Sequence, residues 1–319
     1  MRRPGGAVLI VACLAVLTAC GSGASSSSAT QARDKPPPHK PGKHAPAGGA
    51  PVRVVVAGDL ACAPGSAAGS GLCQQRETAR LAARLHPDAA LLTGDLQYDT
   101  GAADEWSSFD ASWGRLPFPL YPAPGNHEYG TPRAAAYYDH FGARAGPGRR
   151  GWYAFDLGAW RAYSLNSNCA QVGCGAGSAQ ERWLRADLAA NPRACVLAYW
   201  HHPRFSSGLH GDEPLMTALW TVLQNAGADL ALEGHDHDYQ RFARRTADGA
   251  VDPVHGIASF VTGTGGKSHY PVLRSEPGSQ KVVQGRFGLL ELALSSGSWR
   301  WTFRTNDGRV ADSGAARCQ

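Results

Sequence analysis

The feature that most constrains this chain is a series of five short apolar segments, each followed by residues that can bind a metal. The segments cover residues 52–57, 89–93, 118–123, 195–200 and 229–232. Short apolar runs bounded by turn residues are typical of buried strands. In α/β folds, groups that bind ligands gather at the carboxyl ends of strands. We therefore expect the polar residues after the five segments to meet in space.

Other segments predict an alternation of helices and further strands. Helical spacing of apolar residues covers 74–86 and 213–226, and Ser178 with Glu181 forms a capping box that begins another helix. The remaining predicted strands cover residues 152–155, 160–165, 257–262, 289–294 and 299–304. This order of elements favours an α/β fold.

The residues that follow the five strands share a chemistry that suits two metal ions. They are Asp59, Asp95, Tyr98, Asn126, His127, His201, His202, His235 and His237. Taken alone, Gly-Asp after a strand is usually a turn, and a His-His pair before proline is more often a loop than a ligand pair. All five groups occur in one chain, however, and each follows a strand. Carboxylates, imidazoles and a carboxamide suit two metals about 3.5–4 Å apart, which can neutralise charge in phosphoryl transfer.

Together these motifs resemble those of the calcineurin-like metallophosphoesterases. They read Gly-Asp-Leu from residue 58, Gly-Asp-Leu-Gln-Tyr from 94, Gly-Asn-His-Glu from 125, His-His-Pro from 201 and Gly-His-Asp-His from 234. The tyrosine three residues after Asp95 is similar to that of the purple acid phosphatases. The resemblance implies a four-layer α/β/β/α sandwich, in which two packed mixed sheets are flanked by helices.

The resemblance also implies a role for each residue of the site. Metal 1 would be held by Asp59, Tyr98 and His237, metal 2 by Asn126, His201 and His235, and Asp95 would bridge both ions. His127 would be the catalytic proton donor, and the substrate would contact Asn126 and His210. Plant-type members carry two adjacent histidines at the position of His210, whereas this chain has Gly211 after it. We expect His202 to contact the substrate in place of the missing histidine.

The expected activity is the hydrolysis of phosphate monoesters by attack of a metal-activated hydroxide. A phenolate ligand at Tyr98 favours Fe³⁺ at metal 1, with a divalent ion (Zn, Fe or Mn) at metal 2. Two alternatives stay open. One is a phosphodiesterase or nucleotidase, which would use the same site. The other is a lipoprotein that only binds solute, although such a protein would not need seven intact metal ligands.

The N-terminal 50 residues predict export and a lipid anchor. Arg2 and Arg3 precede an apolar run over residues 7–19, and Leu-Thr-Ala-Cys ending at Cys20 resembles a bacterial lipobox. Residues 20–50 have the composition of a flexible tether before a catalytic domain over 51–319. We expect the chain on the outer face of the cytoplasmic membrane; an ordinary secretory leader is the alternative.

The numbers of cysteines and of charged residues indicate which disulfides and which kinds of partner to expect. Six cysteines follow the anchor, and six allow 15 pairings. Local spacing favours Cys62–Cys73 and Cys169–Cys174, which leaves Cys195–Cys318. Beyond residue 50 the chain has 25 basic and 25 acidic residues, so we expect no nucleic-acid partner. The family resemblance implies a small phosphorylated substrate.

A glycine-rich segment, residues 262–268, superficially suggests a phosphate-binding loop. The P-loop pattern requires a glycine five residues before Gly266, and Val261 stands there. We therefore predict an ordinary loop near the metal face.

Overall fold

The computed structural model describes residues 49–67 and 72–319. The predicted leader, the lipidation site Cys20 and nearly all of the tether lie outside the described residues. The strands, in chain order, are β1 (Val52–Ala57), β2 (Ala89–Leu92), β3 (Leu120–Pro122), β4 (Tyr153–Leu157), β5 (Trp160–Ser164), β6 (Cys195–Tyr199), β7 (Leu230–Glu233), β8 (Tyr239–Arg245), β9 (Ile257–Thr262), β10 (Ser279–Val283), β11 (Gly288–Ser295), β12 (Ser298–Thr305) and β13 (Val310–Arg317). The α-helices are α1 (Gln75–Leu85), α2 (Trp106–Asp110), α3 (Ala135–Phe141), α4 (Cys169–Val172), α5 (Ala179–Ala190) and α6 (Thr217–Asn225).

The strands form two mixed sheets. The six-stranded sheet has the order β13-β12-β11-β1-β2-β3, and the seven-stranded sheet has the order β10-β8-β9-β7-β6-β5-β4. Strands β1, β2 and β3 run parallel to one another, as do β5, β6, β7 and β9. All five strands predicted to precede the polar motifs are therefore in parallel segments of the two sheets.

Three apolar clusters divide the molecule into four layers. The central cluster lies between the sheets and includes Val54, Leu197 and Leu292. A second cluster packs residues of α1, α2 and α3 on the outer face of the six-stranded sheet. A third packs α5 and α6 on the outer face of the seven-stranded sheet. The predicted α/β/β/α sandwich is thus confirmed.

The elements that were not predicted include three strands and the three short helices α2, α3 and α4, which have seven residues or fewer and so show no helical period. Strands β8, β10 and β13 were not predicted, because their buried and exposed residues do not form a continuous apolar run. The helix predicted over 213–226 begins with a 3₁₀ turn at Pro214–Met216 and becomes α-helical at Thr217. At the start of α5, Ser178 accepts a hydrogen bond from the Glu181 backbone N–H at 3.2 Å, as the capping box predicts.

The structure contains the two disulfides that local spacing favoured and the third that remained. They join Cys62 to Cys73, Cys169 to Cys174, and Cys195 to Cys318. The last of these connects the start of β6 to the end of the chain. Within residues 49–67 and 72–319, no helix has the length and apolar character needed to span a membrane.

Candidate metal centre

All seven predicted ligands lie at the ends of strands from the two sheets. Asp59, Asp95 and His235 have positive φ angles of 60°, 49° and 70°. A non-glycine residue in this region is uncommon, and such backbone strain is concentrated at functional sites. These local conformations allow the three side chains to turn inward over the strand ends.

The metal 1 group (Asp59, Tyr98, His237 and the bridging Asp95) is centred on a buried phenol. The Tyr98 hydroxyl lies 2.9 Å from Asp59 Oδ1, 3.1 Å from Asp95 Oδ2 and 3.1 Å from His237 Nε2. Burial, with the charges of Asp59 and Asp95, raises the pKa of Tyr98 well above its ordinary value. The phenol therefore keeps its proton unless a cation offsets both carboxylates.

The metal 2 group (Asn126, His201, His235 and the bridging Asp95) is centred on one imidazole nitrogen. His201 Nε2 lies 3.2 Å from Asp95 Oδ2, 3.0 Å from Asn126 Oδ1 and 3.1 Å from His235 Nδ1. Burial disfavours a charged imidazole, yet Asp95 raises the pKa of His201 to about 9. This part of the site thus attracts a positive charge.

The donor set fits two cations. Asp59 and Asp95 are almost fully buried and face the same hydroxyl, which has one proton to donate. Buried carboxylates without a compensating charge are costly. Ligand atoms of Asp59, Asp95 and His201 lie within 4.8 Å of one another, as do those of His201, His202 and His235. The first cluster joins ligands of the metal 1 and metal 2 groups, and the second adds His202, which was not a predicted ligand. The carboxylate, phenol, carboxamide and imidazole groups of the two metal groups are suitable ligands for transition metals.

Glu128 connects two of the loops that carry ligands. Its buried carboxylate accepts hydrogen bonds from the backbone N–H groups of Asp95 (3.0 Å), Leu96 (2.9 Å) and Gly125 (2.6 Å). Burial and the nearby Asp95 raise the pKa of Glu128 to about 8, despite these bonds. Gly125 itself must be small, because a Cβ there would lie 2.1 Å from Asp95 Oδ1. No role was predicted for Glu128, although it is the last residue of the Gly-Asn-His-Glu motif.

His127 lies beside the metal 1 group with its ring partly open to solvent. The Nδ1 atom lies 2.6 Å from the Asp99 carbonyl oxygen and donates its proton to it, because a carbonyl only accepts. The other nitrogen, Nε2, lies 3.8 Å from Asp95 Oδ2, and 30% of the side chain is exposed. This nitrogen therefore faces the region that a substrate would enter.

His202 and His210 both lie next to His235, at ring-centroid distances of 4.6 and 4.0 Å. Burial and the charge of His201 lower the pKa of His202 to about 3, so this ring is neutral at physiological pH. His210 is held by Asp236, whose Oδ1 lies 2.9 Å from His210 Nδ1. Asp236 was missed because it lies between the two predicted ligands of the Gly-His-Asp-His motif.

The glycine-rich segment lies directly beside the site. The backbone N–H of Gly265 donates to the Gly58 carbonyl at 3.0 Å, and that of Lys267 donates to the Asp59 carbonyl at 2.9 Å. Lys267 Nζ lies 4.7 Å from the centre of the Tyr98 ring, and Ser268 Oγ lies 3.1 Å from His237 Nδ1. The segment therefore supports the metal 1 group, and no P-loop helix follows it.

Comparison with known proteins agrees with this geometry. Residues 52–239 match the model of the calcineurin-like phosphoesterase family. Purple acid phosphatase 18 of Arabidopsis thaliana is 27% identical over 241 residues, which cover 68% of this chain and 53% of that protein. The purple acid phosphatase PPD1 from yellow lupin (Lupinus luteus) seeds superposes with a TM-score of 0.70 at 22% identity, covering 87% of this chain and 55% of that one. A dimetal phosphatase from Danio rerio has a TM-score of 0.57 at 15% identity, covering 84% and 100% of the two chains.

The chain spans about half the length of the plant proteins that it matches. The segment matched by the family model is more than half of this chain and contains all seven predicted ligands. The chain therefore belongs to the calcineurin-like phosphoesterase family, and the relatives it resembles are of the purple acid phosphatase type.

Proposed function

We propose that the protein is a dinuclear metal phosphatase that hydrolyses phosphate monoesters. The observation that carries the proposal is the convergence of seven potential ligands around Tyr98 Oη and His201 Nε2, with neighbouring atoms 2.9–3.2 Å apart. Two ions bound there would supply Lewis acidity toward a phosphoryl oxygen and would lower the pKa of water.

The side chains around the ions would orient the substrate and move a proton. The Nδ1 proton of His127 is engaged by the Asp99 carbonyl, so His127 must donate from Nε2 to the leaving oxygen. His202 and His210 lie next to His235, a residue of the metal 2 group, whereas His127 lies beside the metal 1 group. From there their N–H groups would contact the phosphoryl oxygens. General acid catalysis of this kind contributes about 10²–10⁴-fold to the rate.

An assay with matched chromogenic esters tests the proposal. The metal-loaded protein is offered 4-nitrophenyl phosphate and bis-4-nitrophenyl phosphate. We expect faster hydrolysis of the monoester, with the Asp95→Asn variant inactive on both. Faster hydrolysis of the diester would favour the phosphodiesterase alternative. Binding of phosphate with no turnover of either ester would favour a protein that only binds solute.

We propose iron as the ion at metal 1 and a divalent ion at metal 2. The support is chemical: a phenolate is a hard ligand that a trivalent ion prefers more strongly than a divalent ion does. Tyr98 Oη faces Asp59, Asp95 and His237, so it is positioned to serve as that ligand.

We also propose that the protein is exported and anchored through a lipid on Cys20. The support comes from the charged and apolar leader and the Leu-Thr-Ala-Cys motif in the sequence. In cell fractionation, the wild type is expected in the membrane fraction and Cys20→Ser in the soluble fraction. A wild-type protein that is soluble and carries no lipid by mass spectrometry would contradict this.

A further inference from the structure

Tyr270 is a partly exposed aromatic residue that lies against the metal centre. Its ring stacks on that of His237, a predicted ligand of metal 1, with centroids 3.9 Å apart and an angle of 17° between the planes. It also meets the ring of His210 at a centroid distance of 5.2 Å and an angle of 72°. Tyr270 therefore lies between a metal 1 ligand and a histidine that is expected to contact the substrate.

The two residues before Tyr270 fix its position. Ser268 Oγ lies 3.1 Å from His237 Nδ1. The His269 ring packs on Phe287 at 3.9 Å, and its Nδ1 donates to the backbone carbonyl of His237 at 3.4 Å. The segment that carries Tyr270 is thus tied to His237 at two points. The ring is held in place without a substrate, and such preorganisation lowers the cost of binding one.

The charges that act on Tyr270 indicate where its hydroxyl lies. Burial and three nearby carboxylates raise its pKa to about 12, and these carboxylates belong to Asp59, Asp95 and Asp236. Tyr270 in turn adds to the effects of burial, Asp59 and Asp95 that raise the pKa of Tyr98. Coulomb interactions decline with distance. The hydroxyl therefore lies on the side of the ring that faces the metal 1 group and the bridging carboxylate.

The hydroxyl of Tyr270 has a proton to donate. His237 Nε2 lies 3.1 Å from Tyr98 Oη and is the nitrogen that would bind metal 1. Its Nδ1 then carries the proton and donates it to Ser268 Oγ. The Ser268 hydroxyl keeps its own proton for the oxygen of Tyr270, with which it interacts. A phenol carries one proton and has an ordinary pKa near 10, so Tyr270 donates that proton to a further acceptor.

A phosphoryl group at the two metal positions is a suitable acceptor. It carries negative charge on three oxygens, and hydrogen bonds to charged oxygens are the stronger kind. His202 and His210 lie beside His235, on the metal 2 side. Tyr270 supplies a donor beside a metal 1 ligand. The chain also has Gly211 where plant-type members carry a second histidine, so a donor from another segment can take part in holding the phosphate.

We propose that Tyr270 is a substrate-binding residue whose hydroxyl donates a hydrogen bond to an oxygen of the phosphoryl group. This inference rests on the proposed phosphatase function and adds a residue to the same site. The stacking of Tyr270 on His237 is a separate role, because it needs the ring and not the hydroxyl. The two roles can therefore be separated by a substitution that removes only the oxygen.

The test is Tyr270→Phe, which keeps the ring. Metal content, the Kd for inorganic phosphate by titration calorimetry and kcat/KM for 4-nitrophenyl phosphate are measured on the metal-loaded protein. We expect two ions per chain, a Kd about tenfold higher than that of the wild type and a kcat/KM about tenfold lower. The control is Tyr121→Phe, which should match the wild type. Tyr121 also stacks on a ring, that of Phe155 at 3.9 Å, and packs against the central apolar cluster.

Two results would overturn the inference. A Kd for phosphate in Tyr270→Phe equal to that of Tyr121→Phe would mean that the hydroxyl does not contact the phosphate. Loss of a metal ion from Tyr270→Phe would mean that the hydroxyl supports the metal centre instead. A wild type that binds phosphate about tenfold more tightly than Tyr270→Phe but hydrolyses no ester would support the phosphate contact and refute the proposed function.

Discussion

The Nδ1 atom of His201 lies 2.9 Å from the carbonyl oxygen of Thr93 and donates its proton to it. The bond crosses between the sheets, because Thr93 follows β2 and His201 follows β6. It fixes Nε2 as the nitrogen that faces Asp95 and Asn126. A histidine that binds a metal is usually oriented by a hydrogen bond from its other nitrogen. The backbone of one strand thus positions a ligand from another sheet.

His201→Ala is expected to lose the ion of metal 2. The change removes the nitrogen that lies 3.2 Å from Asp95 Oδ2 and 3.0 Å from Asn126 Oδ1, and leaves the metal 1 group in place. Metal content by plasma emission spectrometry should fall from two ions per chain toward one. The neighbouring variant His202→Ala is the control, since His202 Nδ1 instead contacts Ser167 Oγ at 2.9 Å. Equal metal loss in both variants would contradict the assignment.

His127→Ala is expected to keep both ions and lose most turnover. Its Nδ1 is engaged by the Asp99 carbonyl, and its role is to transfer a proton from Nε2. We expect kcat to fall by about 10²–10⁴-fold. Metal content and kcat are measured on the same sample, with the exposed His255→Ala as control. A His127 variant that has lost a metal ion would show that the residue is a ligand.

The strand ends were the predictable part of this site. Asp59, Asp95, His201 and His235 each follow an apolar run, and that local pattern is visible in the chain. The orientation of each ring was not predictable. It depends on backbone carbonyls such as that of Thr93, which lies 108 residues from His201 in sequence.

Residues that support the site from distant segments could not be predicted from the sequence pattern either. Ser268, in the loop after β9, contacts the ring nitrogen Nδ1 of His237 although the two residues lie 31 positions apart in sequence. Strands β10 and β13 lie at sheet edges, where one side faces solvent and an apolar run is not required. Their positions are set by pairing with β8 and β12, which are long-range contacts.

Glu233→Gln is expected to reduce the pH dependence of stability. Burial raises the pKa of Glu233 to about 8 from an ordinary value of 4.5, despite a 2.7 Å hydrogen bond from the Arg204 backbone N–H. Between these values the folded chain holds a proton that the unfolded chain has released. The stabilisation is therefore present below about pH 4.5 and lost as pH rises through about 8.

The measurement is urea unfolding of the chelated protein between about pH 5 and pH 8. The free energy of unfolding of the wild type should fall with pH more steeply than that of Glu233→Gln, by up to about 1.4 kcal/mol per pH unit. Glu77→Gln on α1, whose side chain is 47% exposed, is the matched control and should follow the wild type. Parallel curves for wild type and Glu233→Gln would refute this prediction.

Tyr98→Phe is expected to remove a visible absorption band from protein purified from iron-supplemented cells. Ligation of ferric iron by a phenolate gives such a charge-transfer band. Phenylalanine keeps the ring, which is buried and lies 4.2 Å from that of His127, and removes only the oxygen. A Phe variant with the same band would show that Tyr98 is not the ligand. A colourless, fully active wild type with divalent ions alone would remove iron from the proposal.

Metal content and phosphatase activity, measured on one preparation before and after chelation, test whether the protein is a dinuclear metal phosphatase. We expect two ions per chain and hydrolysis of 4-nitrophenyl phosphate in the loaded protein. Both should be lost on chelation and recovered when metal is returned. Asp95→Asn should bind fewer ions and remain inactive, because Asp95 lies between Tyr98 and His201. Hydrolysis that survives complete removal of the metals, or a wild type that binds none, would refute a metal-dependent mechanism.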